Sequence, residues 1–360
     1  MRTAILVSHT IDPGLQREAD EGRSPTPDFI ALARALHANI IDPLSKTSGK
    51  KPGRMSKMVE LFSIAWAGFK ARNKYDLIIS DLDRVGLILA FLFKLTFTKR
   101  YHVIICHGKI ANKTDLRMIR WLGLQSHIDR FVCYGPIVAG KLKTGLKNSE
   151  KIVTVRHSPD HHFWHPSSKP SERLIVSAGL FRRDYATLIK AIEGLDISLV
   201  IAADSPWVTD KANLGVLPPN VQVVKCSYLQ LRELYARALL VAIPLMNSSA
   251  QSGSLVIYEA MAMGKTVAAT RTPGQSGLKL IKEGETGYFI RPGDVGEWRS
   301  VIQHLSLHPD EAQRMGDEAR RVIEKELNID RYISEMASVV DAVTAKGTSA
   351  PSGALAERIS

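Results

Sequence analysis

From Asn247 to Thr270 the chain reads NSSAQSGSLVIYEAMAMGKTVAAT. Its small polar residues favour a turn. Leu255–Met263 then predicts an apolar helix, Gly264 a break, and Thr266–Ala269 a strand. A polar, glycine-containing turn that opens a helix gathers backbone N–H groups and the positive dipole end at one point, which suits an anion. Here those N–H groups belong to Gly253, Ser254, Leu255 and Val256. Gln251 lies in the turn, and Glu259 follows roughly two helical turns on. Such a pair can hold two ends of one ligand while the amides between them hold its phosphates.

Two further places carry chemistry. Leu174–Ala178 predicts a strand, followed by Gly179-Leu180-Phe181-Arg182-Arg183-Asp184-Tyr185 and a helix over Ala186–Ile192. A glycine turn with paired arginines at a helix start suits a diphosphate, because guanidinium gives bidentate, permanently charged hydrogen bonds to phosphate oxygens. Tyr101–Cys106 predicts another strand with His107 at its C-terminal edge. Ligands collect at that edge in open α/β sheets.

These residues carry a family resemblance. Glu259-Ala260-Met261-Ala262-Met263-Gly264-Lys265-Thr266-Val267 resembles the nucleotide-sugar site of family-4 glycosyltransferases with the GT-B fold, whose pattern is Glu, seven residues, Glu-Ala-Met-Ala-x-Gly-Lys-Pro-Val. Gln251 stands where the first Glu would, and Thr266 where the Pro would. Gly287-Tyr288-Phe289 and Pro292-Gly293-Asp294 extend the similarity, which covers the C-terminal half well and the N-terminal half weakly. The resemblance implies that Arg183, with Arg182, neutralises a departing nucleotide diphosphate. It implies that Glu259 binds the nucleotide ribose and Gln251 the transferred sugar, with His107 near the donor sugar. It also implies retention of configuration and no bound cofactor or metal.

The elements that must position these groups alternate strand and helix throughout, which argues parallel sheets with crossover helices. At 360 residues the chain has room for two cores. The expected fold class is α/β, GT-B: two Rossmann-like domains facing across a cleft, with a C-terminal helix returning to the first. The expected boundaries are 1–168, 169–328, a returning helix at 329–345, and a disordered tail at 346–360. His9–Pro27, with three prolines and two glycines, reads as a loop.

Met1 leads straight into an apolar strand rather than an export segment, and no apolar run reaches membrane-spanning length. Cys106, Cys133 and Cys226 lack metal spacing and fit a reducing compartment. The net charge of +12 is uneven: residues 1–170 hold 27 Lys/Arg against 14 Asp/Glu, and the remainder 21 against 22. A basic N-terminal half suits an anionic lipid or a phosphorylated acceptor. Nucleic acid ranks last, since no zinc-finger spacing or RNA-recognition signature is present. Within residues 50–74, Met55, Met58, Val59, Phe62, Ala65, Trp66 and Phe69 recur at helical spacing between basic flanks. This pattern fits either a helix packed on the sheet or one lying in an anionic membrane interface. His157, His161, His162 and His165 crowd one segment without a fixed ligand pattern, and read as linker residues.

The reading is therefore a cytoplasmic, metal-independent, retaining glycosyltransferase. It would move a sugar from a nucleotide-diphosphate donor to a glycan, lipid-linked or small-molecule acceptor, with possible peripheral membrane contact through residues 50–74. The alternative is a GT-B homologue that binds sugar nucleotide without catalysis.

Overall fold

The computed structural model describes residues 1–7, 11, 13–42, 54–202, 216–248, 252–275 and 281–348. The first half runs β1 (Thr3–Leu6), α1 (Pro13–Asp20), α2 (Asp28–Ala35), β2 (Asn39–Ile41), α3 (Arg54–Ala71), β3 (Leu77–Ser80), α4 (Asp83–Leu95), β4 (Tyr101–Cys106), α5 (Lys113–Trp121), β5 (Arg130–Cys133), α6 (Pro136–Gly145) and β6 (Ile152–Thr154). The second runs β7 (Leu174–Ala178), α7 (Tyr185–Ile192), β8 (Ser198–Ala202), β9 (Val221–Val224), α8 (Tyr228–Arg237), β10 (Leu240–Ile243), α9 (Ser254–Ala262), β11 (Thr266–Thr270), β12 (Gly287–Ile290), α10 (Val295–Leu307), α11 (Pro309–Glu326) and α12 (Ile329–Thr348).

The strands form two six-stranded sheets, β2-β1-β3-β4-β5-β6 and β12-β11-β10-β7-β8-β9. Every strand pair in both is parallel. Parallel sheets are covered on both faces, so their strands read as continuous apolar runs. β10 shows how one run serves two cores. Val241 and Ile243 pack with α8, α9 and α11, while Leu240 and Ala242 pack with α7 and α10. The α/β class expected from the sequence is the one observed.

The chain divides into two compact units. One comprises Met1–Ile11, Phe29–Arg156 and Tyr332–Ser360, and the other Asp12–Asp28 and His157–Arg331. Residues 157–168, read from the sequence as the end of the first domain, group with the second. Trp164 explains this: it is buried, with its ring 5.7 Å from Tyr235 and 6.2 Å from Tyr228. Residues 12–28 follow, because the Thr26 N–H donates to Asp160 Oδ2 at 2.8 Å. The segment expected as a loop contains α1, with Pro13 at its first position, where a missing N–H costs nothing. From Tyr332 onward α12 groups with the first unit, where the Tyr332 hydroxyl meets that of Tyr134 at 3.1 Å.

α3 departs from the packed arrangement. It buries Ile64, Ala65 and Phe69, but Met58, Val59, Phe62 and Trp66 stay exposed. Phe62 and Trp66 stack at 6.2 Å on that open face. Among the described residues, no helix is long and apolar enough to cross a membrane.

α9 is buried along most of its length, between the sheet and α11. α11 approaches so closely that a Cβ on Gly316 would lie 2.1 Å from the Gly264 carbonyl oxygen. Neither backbone can yield without moving an element. Gly316→Ala should therefore cost at least about 1–3 kcal/mol. Gly140→Ala, on α6 with open space around it, should be neutral or stabilising by up to about 1 kcal/mol. Urea denaturation of the two variants checks both.

Candidate functional site

The C-terminal edge of the second sheet brings together Arg182, Arg183 and the start of α9. β7 ends in Gly179, whose φ of +89° turns the chain sharply. Arg183 then folds back under this turn. Its Nε donates to the Ala178 carbonyl at 3.0 Å and its Nη1 to the Phe181 carbonyl at 3.0 Å. A Cβ on Gly179 would sit 2.8 Å from Arg183 Nη2, so the glycine makes room for the guanidinium. The Tyr185 hydroxyl donates to the Gly179 carbonyl, and Asp184 caps α7 by accepting from the Thr187 N–H at 3.2 Å.

A second loop is laced to the first. The Asp184 N–H donates to Pro244 O at 3.0 Å and the Met246 N–H to Arg182 O at 3.0 Å, flanking an antiparallel bridge between Arg183 and Leu245. The loop after β10 is thereby fixed against the loop after β7. It leads to Gly253, at φ +76°, which opens α9. A Cβ there would lie 2.9 Å from Ile243 and 3.5 Å from Arg183 Nη1. The expected glycine turn thus opens its helix beside the guanidinium. The N–H groups of Ser254, Leu255 and Val256 occupy the first turn, at the positive end of the dipole.

Glu259 lies further along α9, only 7% exposed. Burial raises its carboxyl pKa to about 8, against the smaller opposing pull of Arg183. Burial also lowers the Arg183 pKa, which Tyr185 and Glu259 partly offset. In both groups desolvation outweighs mutual attraction. Arg182 parts company with its neighbour. Its φ of +54° turns it outward, where its guanidinium lies 5.4 Å from the centre of the exposed Phe181 ring. Gln251 lies outside the described residues.

Two groups of this edge carried no sequence signal. The Tyr235 hydroxyl on α8 is buried without a partner among the described residues, near enough to Glu259 and Arg183 to feel their charges. Gln275, after β11, is buried. Its Nε2 donates to the Ser252 carbonyl just before Gly253, and its Oε1 has no partner among the described residues. Lys265, within the recognised motif, turns elsewhere. Its Nζ donates to Ser171 Oγ at 3.1 Å, before β7 and thus toward the other edge of the sheet.

In the first unit, His107 stands at the C-terminal edge of β4, as expected. Its Nε2 meets Asp81 Oδ1 at 3.1 Å, and its ring makes an edge contact with Tyr134 at 5.0 Å. Asp83 accepts from the N–H groups of His107 at 2.8 Å, Lys109 at 2.7 Å and Ile110 at 3.2 Å. Asp81 and Asp83 follow the apolar strand directly, and two acids at a sheet edge were the signal available for them.

The two sheets with flanking helices have the GT-B glycosyltransferase fold. Sucrose-phosphate synthase from Thermosynechococcus elongatus superposes with a TM-score of 0.72 at 18% identity, over 96% of this chain and 100% of that one. Anabaena HepE, in complex with UDP and glucose, gives 0.67 at 16% identity, over 95% of this chain and 100% of that one. More particularly, residues 174–307 match the family described as glycosyl transferases group 1. The D-inositol 3-phosphate glycosyltransferase of Mycobacterium bovis (strain BCG / Pasteur 1173P2) is 28% identical over 176 residues, which are 46% of this chain. The match spans about a third of that relative, 32% of its length. The resemblance read from Glu259–Val267 is borne out.

Glu259 gives the site a pH signature in the protein without ligand. Folding raises this carboxyl above its ordinary 4.5. The folded state is therefore favoured while the group is protonated in both states, and it loses that advantage as pH climbs from about 4.5 to about 8. Glutamine has no such dependence. Glu259→Gln should be increasingly more stable than wild type between pH 5 and 8, the gap widening by at most about 1.4 kcal/mol per pH unit. Urea titrations at several pH values measure it.

Proposed function

We propose that this protein is a retaining glycosyltransferase that takes its sugar from a nucleotide-diphosphate donor. The observation that carries the reading is the buried Arg183 guanidinium beside the glycine turn that opens α9. A diphosphate placed there meets a fixed positive charge and the first-turn amides of Gly253, Ser254, Leu255 and Val256. As the bond between sugar and diphosphate breaks, negative charge grows on the leaving group. A preorganised cation and aligned amides stabilise that charge without a bound metal or cofactor. Glu259 accepts hydrogen bonds from the nucleotide ribose, Gln251 contacts hydroxyls of the transferred sugar, and His107 assists at the donor sugar. Arg182, exposed on its turn, supplies longer-range attraction. A sugar-nucleotide donor also fits the solved HepE complexes, which hold UDP and UDP-glucose.

The acceptor is a glycan or lipid-linked molecule reached from the basic first unit, which contacts an anionic membrane through α3. The open face of Met58, Val59, Phe62 and Trp66 supports this, with Lys70 and Lys74 exposed at the helix end. Nucleic acid is not a partner in this reading.

Titration of the purified protein with a panel of nucleotide sugars should give saturable binding of one donor. Arg183→Lys and Glu259→Ala should each weaken it at least tenfold, with circular dichroism confirming the fold. Unchanged binding in both variants would place the donor elsewhere. Addition of an acceptor extract with labelled donor then separates transfer from binding without turnover. For the membrane contact, flotation at low salt should recover the protein with anionic vesicles and not with neutral ones. The double substitution Phe62→Ser and Trp66→Ser should abolish recovery.

A further inference from the structure

The histidine-rich segment that follows β6 is drawn toward one carboxylate. His162 Nε2 lies 3.0 Å from Asp330 Oδ2, and His161 Nε2 lies 3.7 Å from the same oxygen. One ligand atom from each of the three residues falls within 4.8 Å of the others. The two imidazole rings are 4.0 Å apart between centres. Two imidazole nitrogens and one carboxylate oxygen form a mixed N and O donor set of the kind zinc takes. In a tetrahedral zinc site with bonds near 2.1 Å, donor atoms stand about 3.4 Å apart. The two measured separations straddle that value.

The donors rest on fixed backbone. Asp160 is buried, and its carboxylate holds the turn by accepting from the N–H groups of His162 at 3.1 Å and Phe163 at 3.2 Å. Arg320 Nη1 donates to the carbonyls of His161 at 3.4 Å and Trp164 at 2.9 Å. On the other side Asn328 caps α12 by accepting from the Arg331 N–H at 2.9 Å, which sets Asp330 in the first turn. Among the described residues His161 Nδ1 is buried without a partner. The side chains of His162 and Asp330 are 66% and 61% exposed, which leaves the fourth position open to water and gives a metal ion its path in.

We propose that His161, His162 and Asp330 form a zinc site, with water completing the coordination. It is distinct from the Arg183 site and takes no part in the transfer chemistry. Both arms lie within the second unit. Each adjoins a passage of the chain between units: His161 is five residues past Arg156, and Asp330 lies two before Tyr332. Bound zinc would tie these two segments together across 168 residues of sequence.

The test uses the full chain, stripped with chelator and titrated with zinc chloride by calorimetry, with cobalt as a spectroscopic substitute. Wild type should bind one equivalent, and bound cobalt should show the intense visible bands of a four-coordinate site. His162→Ala and Asp330→Asn alter exposed side chains and should leave the fold intact. Each should weaken zinc binding at least tenfold and remove those bands. His304 offers a control, since it pairs with Glu311 at 2.8 Å and lies 4.8 Å from His308 between ring centres. His304→Ala should bind zinc like wild type. Absence of binding to wild type, binding that survives both site variants, or binding lost with His304 would each overturn the proposal.

Discussion

A guanidinium taken out of water must be given acceptors, and much of the C-terminal edge of the second sheet can be derived from that requirement. Arg183 is buried beneath the end of β7, and an unpaired charge there would cost several kcal/mol. Its donors are satisfied by main-chain carbonyls, Ala178 and Phe181, rather than by a carboxylate. This choice keeps the positive charge uncancelled. It also dictates Gly179, where a side chain would occupy the space of the guanidinium, whereas Gly253 answers to its positive φ and to the close approach of Ile243. The lacing of the loop after β10 to the loop after β7 then holds the start of α9 at a set distance from the charge.

The fold was largely legible because alternation of strand and helix is a property of pattern. Both β4 and β7 fall where the pattern put them. What failed was local. α1 hid behind Pro13 and Gly14, since a proline at a helix start and a loop proline look alike without context. α5 went unread because KTDLRMIRW is short, and its apolar residues span fewer than about three helical turns. On α3 the apolar spacing was correct, but periodicity does not say which side meets the core. The structure buries Ile64 rather than Phe62.

For the site, Arg183 and Glu259 stood out through residue type and spacing. The divergence of Arg182 did not, because it depends on one positive φ in a four-residue turn. Gln275 and Tyr235 were silent for another reason: what matters about them is a neighbour far away in sequence. The same holds for His161 and His162, whose shared partner lies 168 residues beyond His162. Spacing rules register ligands on one element and miss those that meet through folding.

The division of the chain also bears on how the protein is made. The first unit draws on three separate stretches, and the last of them begins at Tyr332, after the whole second unit. A ribosome releases the chain from its N-terminus, so β1 and α2 emerge long before the helix that supplies Tyr332. The N-terminal unit, although translated first, is the last to be completed. Until then Tyr134 waits at the end of β5 without the hydroxyl that it meets in the finished protein.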